Sequence, residues 1–225
     1  MGTVARLGLM GGTFDPIHRG HLDAARAARH ALQLDEVWLI PSMVPPHRTP
    51  GPRASVYHRF AMVALAALGE TGLHASDLEL GNAGPSYTAE TLRRLREAGY
   101  RPLQLFFIAG ADAFAEIATW RDYPALLALA NFVVVSRPGV AATALGSLVP
   151  ELATRMTTPA ALTSGQPAIV LIEAATADIS STTIRGLAAR GASLAGLVPP
   201  DVEEHIRRHR LYASSSTADD LHGQG

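Results

Sequence analysis

The chain has 225 residues, 48% of them hydrophobic and 17% charged, which is enough length and apolar content for an α/β domain with a substantial core and excludes a disordered chain. A formal net charge of −1 provides no general nucleic-acid or membrane surface, and the absence of cysteine excludes disulfides, thiolate catalysis and cysteine-based metal sites. All 19 basic side chains are arginine, so arginine must take any phosphate-clamping role.

Short apolar runs alternate with amphipathic or alanine-rich stretches along the whole chain. Residues 4–10 read as a first strand, 22–32 as a first helix and 37–40 as a second strand. The proline-rich stretch 41–52 cannot continue a ladder or a helix and is an excursion from the sheet. Ser55 caps a helix running to about residue 68, and a weak strand falls within 73–80. Ser86 opens a helix through 97, with Gly99 past its end. The clearest buried strand is 103–109; the next is 132–136, stopped by Arg137-Pro138-Gly139, and a further one is 169–172. Residues 181–190 read as a helix ended by Gly191, and 201–209 as a last helix opened by Pro199-Pro200. This alternation predicts an α/β fold with a doubly wound parallel sheet and a small C-terminal helical part. No repeat or linker divides the chain, so residues 1–212 are expected to form a single domain and 213–225, small and polar, a disordered tail. No window is long and apolar enough for a membrane span and the N-terminus lacks a signal-type apolar run, which reads as a cytoplasmic protein.

The most informative stretch joins the first strand to the first helix: Gly11-Gly12-Thr13-Phe14-Asp15-Pro16-Ile17-His18-Arg19-Gly20-His21. A glycine-bearing turn there points backbone N–H groups at its occupant, and the positive end of the helix favours an anion, most often a phosphate. His18 and His21 are three apart and can face the same anion, while Gly20 permits close approach. Gly11, Gly12, Thr13 and Phe14 would contribute mainly backbone N–H groups. Asp15 is either a plain turn residue before Pro16 or a ligand. A second motif, Ile179-Ser180-Ser181-Thr182-Thr183-Ile184-Arg185, is partly explained as an N-capped helix start. That leaves Arg185, read as lying in the first turn, where a cation is disfavoured unless a strong anion lies opposite. The remaining histidines, including His30, His58 and His205, show no metal spacing and read as surface residues.

The HxGH element resembles the signature of the HxGH nucleotidyltransferase superfamily. Its longer form GGTFDPIHxGH, together with ISSTxIR, is similar to bacterial nicotinate mononucleotide adenylyltransferases. Three further segments resemble that family: Pro85-Ser86-Tyr87-Thr88 with Thr91-Leu92; Gly110-Ala111-Asp112 followed by Trp120-Arg121; and Pro45-Pro46-His47-Arg48 with Ser136-Arg137-Pro138-Gly139. The resemblance implies a Rossmann-like nucleotidyltransferase fold and adenylyl transfer from ATP to nicotinate mononucleotide, giving deamido-NAD and pyrophosphate, a step of NAD biosynthesis. It implies that His18 and His21 hold the α- and β-phosphates of ATP and Arg185 the leaving pyrophosphate. Gly11, Gly12, Thr13, Phe14, Gly20, Gly110, Asp112, Ser136, Arg137, Ser180, Ser181 and Thr182 would line the ATP side. Arg48, Tyr87, Thr88, Asp112, Trp120 and Arg121 would line the mononucleotide side. Mg2+ would come bound to ATP phosphates and water, with no protein metal ligand. The partners are then ATP and nicotinate mononucleotide, not nucleic acid or membrane, and homo-oligomerisation is left open. Two alternatives remain at this point: pantetheine-phosphate adenylyltransferase, whose members are shorter and lack the PSYT and TW elements, and a non-catalytic nucleotide-binding regulator on the same fold.

Overall fold

Each strand of a sheet covered on both faces must be apolar at every position, with odd and even side chains feeding opposite cores. That rule organises the computed structural model, which describes residues 5–46, 51–81 and 84–213. Its strands are β1 (Leu7–Gly12), β2 (Glu36–Pro41), β3 (Leu73–Ala75), β4 (Leu105–Gly110), β5 (Asn131–Val135), β6 (Met156–Thr157) and β7 (Ile169–Ile172). Its helices are α1 (Arg19–Leu32), α2 (Val56–Leu68), α3 (Thr88–Glu97), α4 (Ala111–Phe114), α5 (Leu145–Leu148), α6 (Ser181–Ala189) and α7 (Pro200–Arg208). The strands form one seven-stranded sheet in the order β3-β2-β1-β4-β5-β7-β6, and every pair is parallel.

Along β4, Phe106 and Ile108 enter one core while Leu105, Phe107 and Ala109 enter the other; along β5, Val133 and Val135 oppose Phe132 and Val134 in the same way. The first core packs α1, α2, α6 and α7, through residues such as Ala25, Met62, Ile184 and Ile206. The second packs α3, α4 and the irregular segment through Leu126 and Leu145. The strand order reverses between β1 and β4, so a crevice opens beyond their carboxyl ends, where such sheets take ligands. Among the described residues no helix is long and apolar enough to cross a membrane.

Several boundaries differ from expectation for local reasons. The weak strand within 73–80 is only β3, after which the chain turns. The strand expected from 103 begins at Leu105, because Pro102–Gln104 forms a 3₁₀ turn. Ser86 does not cap α3; Tyr87 occupies that position. The Ser86 hydroxyl instead accepts a hydrogen bond from Met43 N at 2.9 Å and its backbone N–H donates to Val44 O, so it ties the loop after β2 to the loop before α3. Strand β6, two residues long, carries no readable period. Within the expected tail only Ala213 lies among the described residues.

Candidate active site

Gly11 and Gly12 end β1, and the chain turns through Phe14, whose φ of 49° is unusual for a side chain of that size. The turn delivers His18 to the start of α1 and His21 to its first turn. The two imidazoles stack with centroids 3.7 Å apart, and His18 N–H donates to His21 Nδ1 at 3.2 Å. An accepting Nδ1 leaves the proton of a neutral His21 ring on Nε2, a donor. Phe14 is buried and meets the His21 ring edge-on, fixing its tilt. His18 is 2% exposed, and its Nδ1 is buried with no hydrogen-bond partner among the described residues. Burial first, and the Arg137 guanidinium second, lower its pKa to about 4, so His18 is neutral at physiological pH.

Gly20 sits where three groups converge. A Cβ there would stand 3.1 Å from Ala177 O, 3.2 Å from Arg137 Nη1 and 3.2 Å from His18 Nδ1. Arg137, delivered by the end of β5, thus reaches over the start of α1 and adds a guanidinium to the helix's positive end.

These groups border a cleft of about 740 Å³ lying across the β1–β4 reversal. Of the expected site residues, Gly11, Gly12, Thr13, Gly20, His21, Tyr87, Thr88, Gly110, Asp112, Trp120, Arg121 and Arg137 line it. At one end are the glycine turn, His21 and Arg137. At the other, half-buried Trp120 stands edge-on to Phe107 at 5.9 Å, and the Arg121 guanidinium lies 4.6 Å over the Tyr87 ring. Tyr87 is the N-cap of α3 but makes no side-chain cap, so the first N–H groups of that helix are not satisfied by a cap.

Other expected residues are placed differently. His18 and Phe14 lie beneath the cleft and support His21. The Ser136 hydroxyl is buried between Ala174 N and Ala174 O and holds the end of β5 to the segment after β7. Ser180 caps α6 by accepting from Thr183 N, and Ser181 donates to Pro16 O. Arg185 is the fifth residue of α6, one turn further in than expected. It donates to Asp15 O at 2.7 Å and to Thr182 Oγ1 at 3.0 Å, with the Asp15 carboxylate 3.8 Å away. The strong anion that makes this arginine comfortable is therefore within the protein. Arg48 lies outside the described residues.

Asp15, left open between turn and ligand, is a buried junction. Its carboxylate accepts from Arg53 N, Ala54 N and the Tyr212 hydroxyl. Arg59 was missed altogether. It is 1% exposed and donates to Thr13 O and Ser42 O at 2.7 Å, pinning the glycine turn from behind. Its spacing from Met62, Val63 and Ala66 puts it on the buried face of α2, a signal present in the sequence. The reading of the remaining histidines also needs correction. His58, His205 and His209 come together with ligating atoms within 4.8 Å of one another. His205 and His209 have the i, i+4 spacing that a helix turns to one side, and that spacing was overlooked.

Residues 9–187 match the cytidylyltransferase-like family model. The chain is 41% identical over 218 residues to a Desulfatibacillum aliphaticivorans protein named "probable nicotinate-nucleotide adenylyltransferase", covering 92% of this chain and 99% of that one. A Symbiobacterium thermophilum protein of the same name is 39% identical over 222 residues, covering 99% and 100%. A solved structure of Plasmodium falciparum nicotinic acid mononucleotide adenylyltransferase, complexed with NaAD, superposes with a TM-score of 0.72 over 92% of this chain and 97% of that one; at 17% identity it shows the shared fold. End-to-end likeness at about 40% identity, with the glycine turn, the histidine pair and the Ser180–Arg185 helix start all in place, makes this chain a member of the nicotinate-nucleotide adenylyltransferase family.

Proposed function

We propose that this protein transfers the adenylyl group of ATP to nicotinate mononucleotide, releasing pyrophosphate and forming deamido-NAD. The observation that carries the reading is one cleft with two unlike ends: a cationic, N–H-rich end at the start of α1 and an aromatic end at Tyr87 and Trp120. A phosphate chain suits the first and a pyridine ring the second. The relatives' names agree with it.

The 5′-phosphate oxygen of the mononucleotide bonds to the α-phosphorus as the bridge to the β-phosphate breaks, and the electron pair leaves on pyrophosphate. The attacking oxygen is already ionised at neutral pH, so the protein supplies alignment and charge stabilisation with no general base. His21 donates through Nε2 to the α-phosphate oxygens, supported by neutral His18 beneath it. Arg137 and the N–H groups of the glycine turn meet the phosphate chain. Ser180, Ser181, Thr182 and Arg185 flank the leaving group, Arg185 doing so from its seat on Asp15. Gly110 and Asp112 meet ribose hydroxyls. The uncapped N–H groups of α3 receive the ring carboxylate, with Arg121 as the nearby cation. Residues 1–212 act as a single domain in this reading.

Glu79, Asp112 and Glu116 line the cleft, yet among the described residues no three acidic or histidine groups there converge on one point. Mg2+ would arrive on ATP phosphates and water and would there neutralise the charge developing on pyrophosphate.

The test is pyrophosphate release with ATP and each of four acceptors: nicotinate mononucleotide, its amide, phosphopantetheine and water. Only the nicotinate acceptor is expected to give high turnover, because an amide would present N–H donors to N–H donors. Preference for phosphopantetheine, or no turnover with any acceptor, overturns the reading. Equal specificity constants for acid and amide overturn its acid preference.

A further inference from the structure

Three of the chain's nine histidines meet where α2 and α7 pack together, and none of them lines the cleft. His58 is the third residue of α2. His205 lies on α7 and His209 caps its end, one turn apart on the same face. The two helices are held together by the core that contains Met62, Val63, Val202 and Ile206. His58 Nδ1 and His205 Nε2 stand 3.1 Å apart. The ring centroids are separated by 5.3 Å (His58–His205), 4.8 Å (His58–His209) and 4.4 Å (His205–His209).

We propose that His58, His205 and His209 bind one borderline divalent transition-metal ion, of the class of zinc, which staples α7 to α2. Four-coordinate zinc with imidazole nitrogens at about 2.0–2.1 Å needs donors about 3.4 Å apart. One pair already meets this separation, and all three donors fall within 4.8 Å. A small turn of the exposed His209 ring closes the triangle, and solvent supplies the fourth ligand. Three neutral imidazoles select zinc, cobalt, nickel or copper and discriminate against magnesium, which prefers oxygen. The site is thus chemically separate from the ion that accompanies ATP. Of the neighbouring cations, Arg207 and Arg208 are both paired with Glu204. Its position has a consequence for the cleft: His58 adjoins Arg59, which pins the glycine turn.

The full-length protein, stripped with a chelator, would be titrated with Co2+ alone while visible d–d absorption is followed, then with Zn2+. One equivalent of Co2+ should develop the absorption of a four-coordinate site, Zn2+ should bleach it, and Zn2+ should raise the melting temperature. His209→Ala, at an exposed position, and His205→Ala should each weaken metal binding by at least about 10–100-fold, the loss that even outer partners of a metal ligand cause. His30→Ala, on an exposed face of α1, should leave the titration unchanged. No visible band and no melting shift in the unsubstituted protein would overturn the proposal. So would a titration equally strong in His205→Ala and His209→Ala.

Discussion

His18 and His21 are only three residues apart, yet their surroundings give them different work. His21 borders the cleft with its tautomer set by His18 N–H, so in the proposed reaction His21→Ala removes a donor to the reacting phosphates. Loss of one such donor typically costs about 10²–10³ in turnover, and steady-state kinetics with ATP and nicotinate mononucleotide would measure it. His18 has the greater effect on stability. Its folded pKa is about 4 against 6.5 in the unfolded chain. Between those values the unfolded state binds the extra proton, so stability is full above pH 6.5, declines as pH falls, and levels off below about pH 4. The whole span is worth about 3 kcal/mol, at roughly 1.4 kcal/mol per pH unit. Burial lowers His205 in the same direction, aided by His209 and His58, so total acid sensitivity is shared. His18→Asn isolates its part: melting temperatures at about pH 7 and about pH 5 should differ by several degrees less than in the unsubstituted protein. The HxGH spacing located both histidines in the sequence. Their division of labour was not legible, because burial and stacking depend on Phe14 and Arg137, reached through the fold.

At the scale of elements, all strands but β6 and the longer helices were legible because period and punctuation agree. The run from Leu105 to Gly110 is apolar throughout and stops at the glycine that precedes α4. Ser55 caps α2 as its chemistry requires. The misreadings fell where tertiary contacts took over a residue with good local credentials. Ser86 is a good capping residue, but its hydroxyl is drawn to Met43 N in another loop. Arg59 is the stronger case, a charged side chain on the buried face of α2 that serves three carbonyls: Thr13, Ser42 and Met43. Arg59→Met keeps much of the volume and the helix propensity. It leaves the buried Ser42 carbonyl and the part-buried Thr13 and Met43 carbonyls without this donor, at about 1–3 kcal/mol for a buried orphaned group. The expected result is a melting temperature lowered by several degrees and a raised KM for ATP, since the glycine turn loses its brace. Thermal melts and ATP titrations check both; a loss of stability with no change in the ATP constant would show that the turn holds its shape without Arg59.

At the scale of the molecule, the first motif is completed by the end of the chain. Asp15 binds Arg53 N and Ala54 N, Arg185 donates to its carbonyl, and Tyr212 donates to its carboxylate at 2.9 Å. No sequence period reports contacts 170 and 197 residues apart, so Asp15 remained ambiguous until the fold brought its partners in. Burial and the Asp15 charge push the Tyr212 phenol well above its usual range, which keeps it a donor across the physiological span. Tyr212 itself adopts a φ of 67°, a backbone cost that a specific contact must offset. Tyr212→Phe deletes the hydroxyl and little else. A hydrogen bond to a charged group is worth about 1.5–3 kcal/mol, and about 2–4 °C of melting temperature accompanies each kcal/mol in a chain of this size. The variant should therefore melt roughly 3–12 °C lower. Its KM for ATP should also rise at temperatures where it is fully folded, because Asp15 and Arg185 position each other. Tyr57→Phe, at a residue 75% exposed, is the control and should change neither quantity. A Tyr212→Phe protein with the melting temperature and ATP constant of its parent would detach the chain's end from the glycine turn and leave Asp15 held by its backbone donors alone.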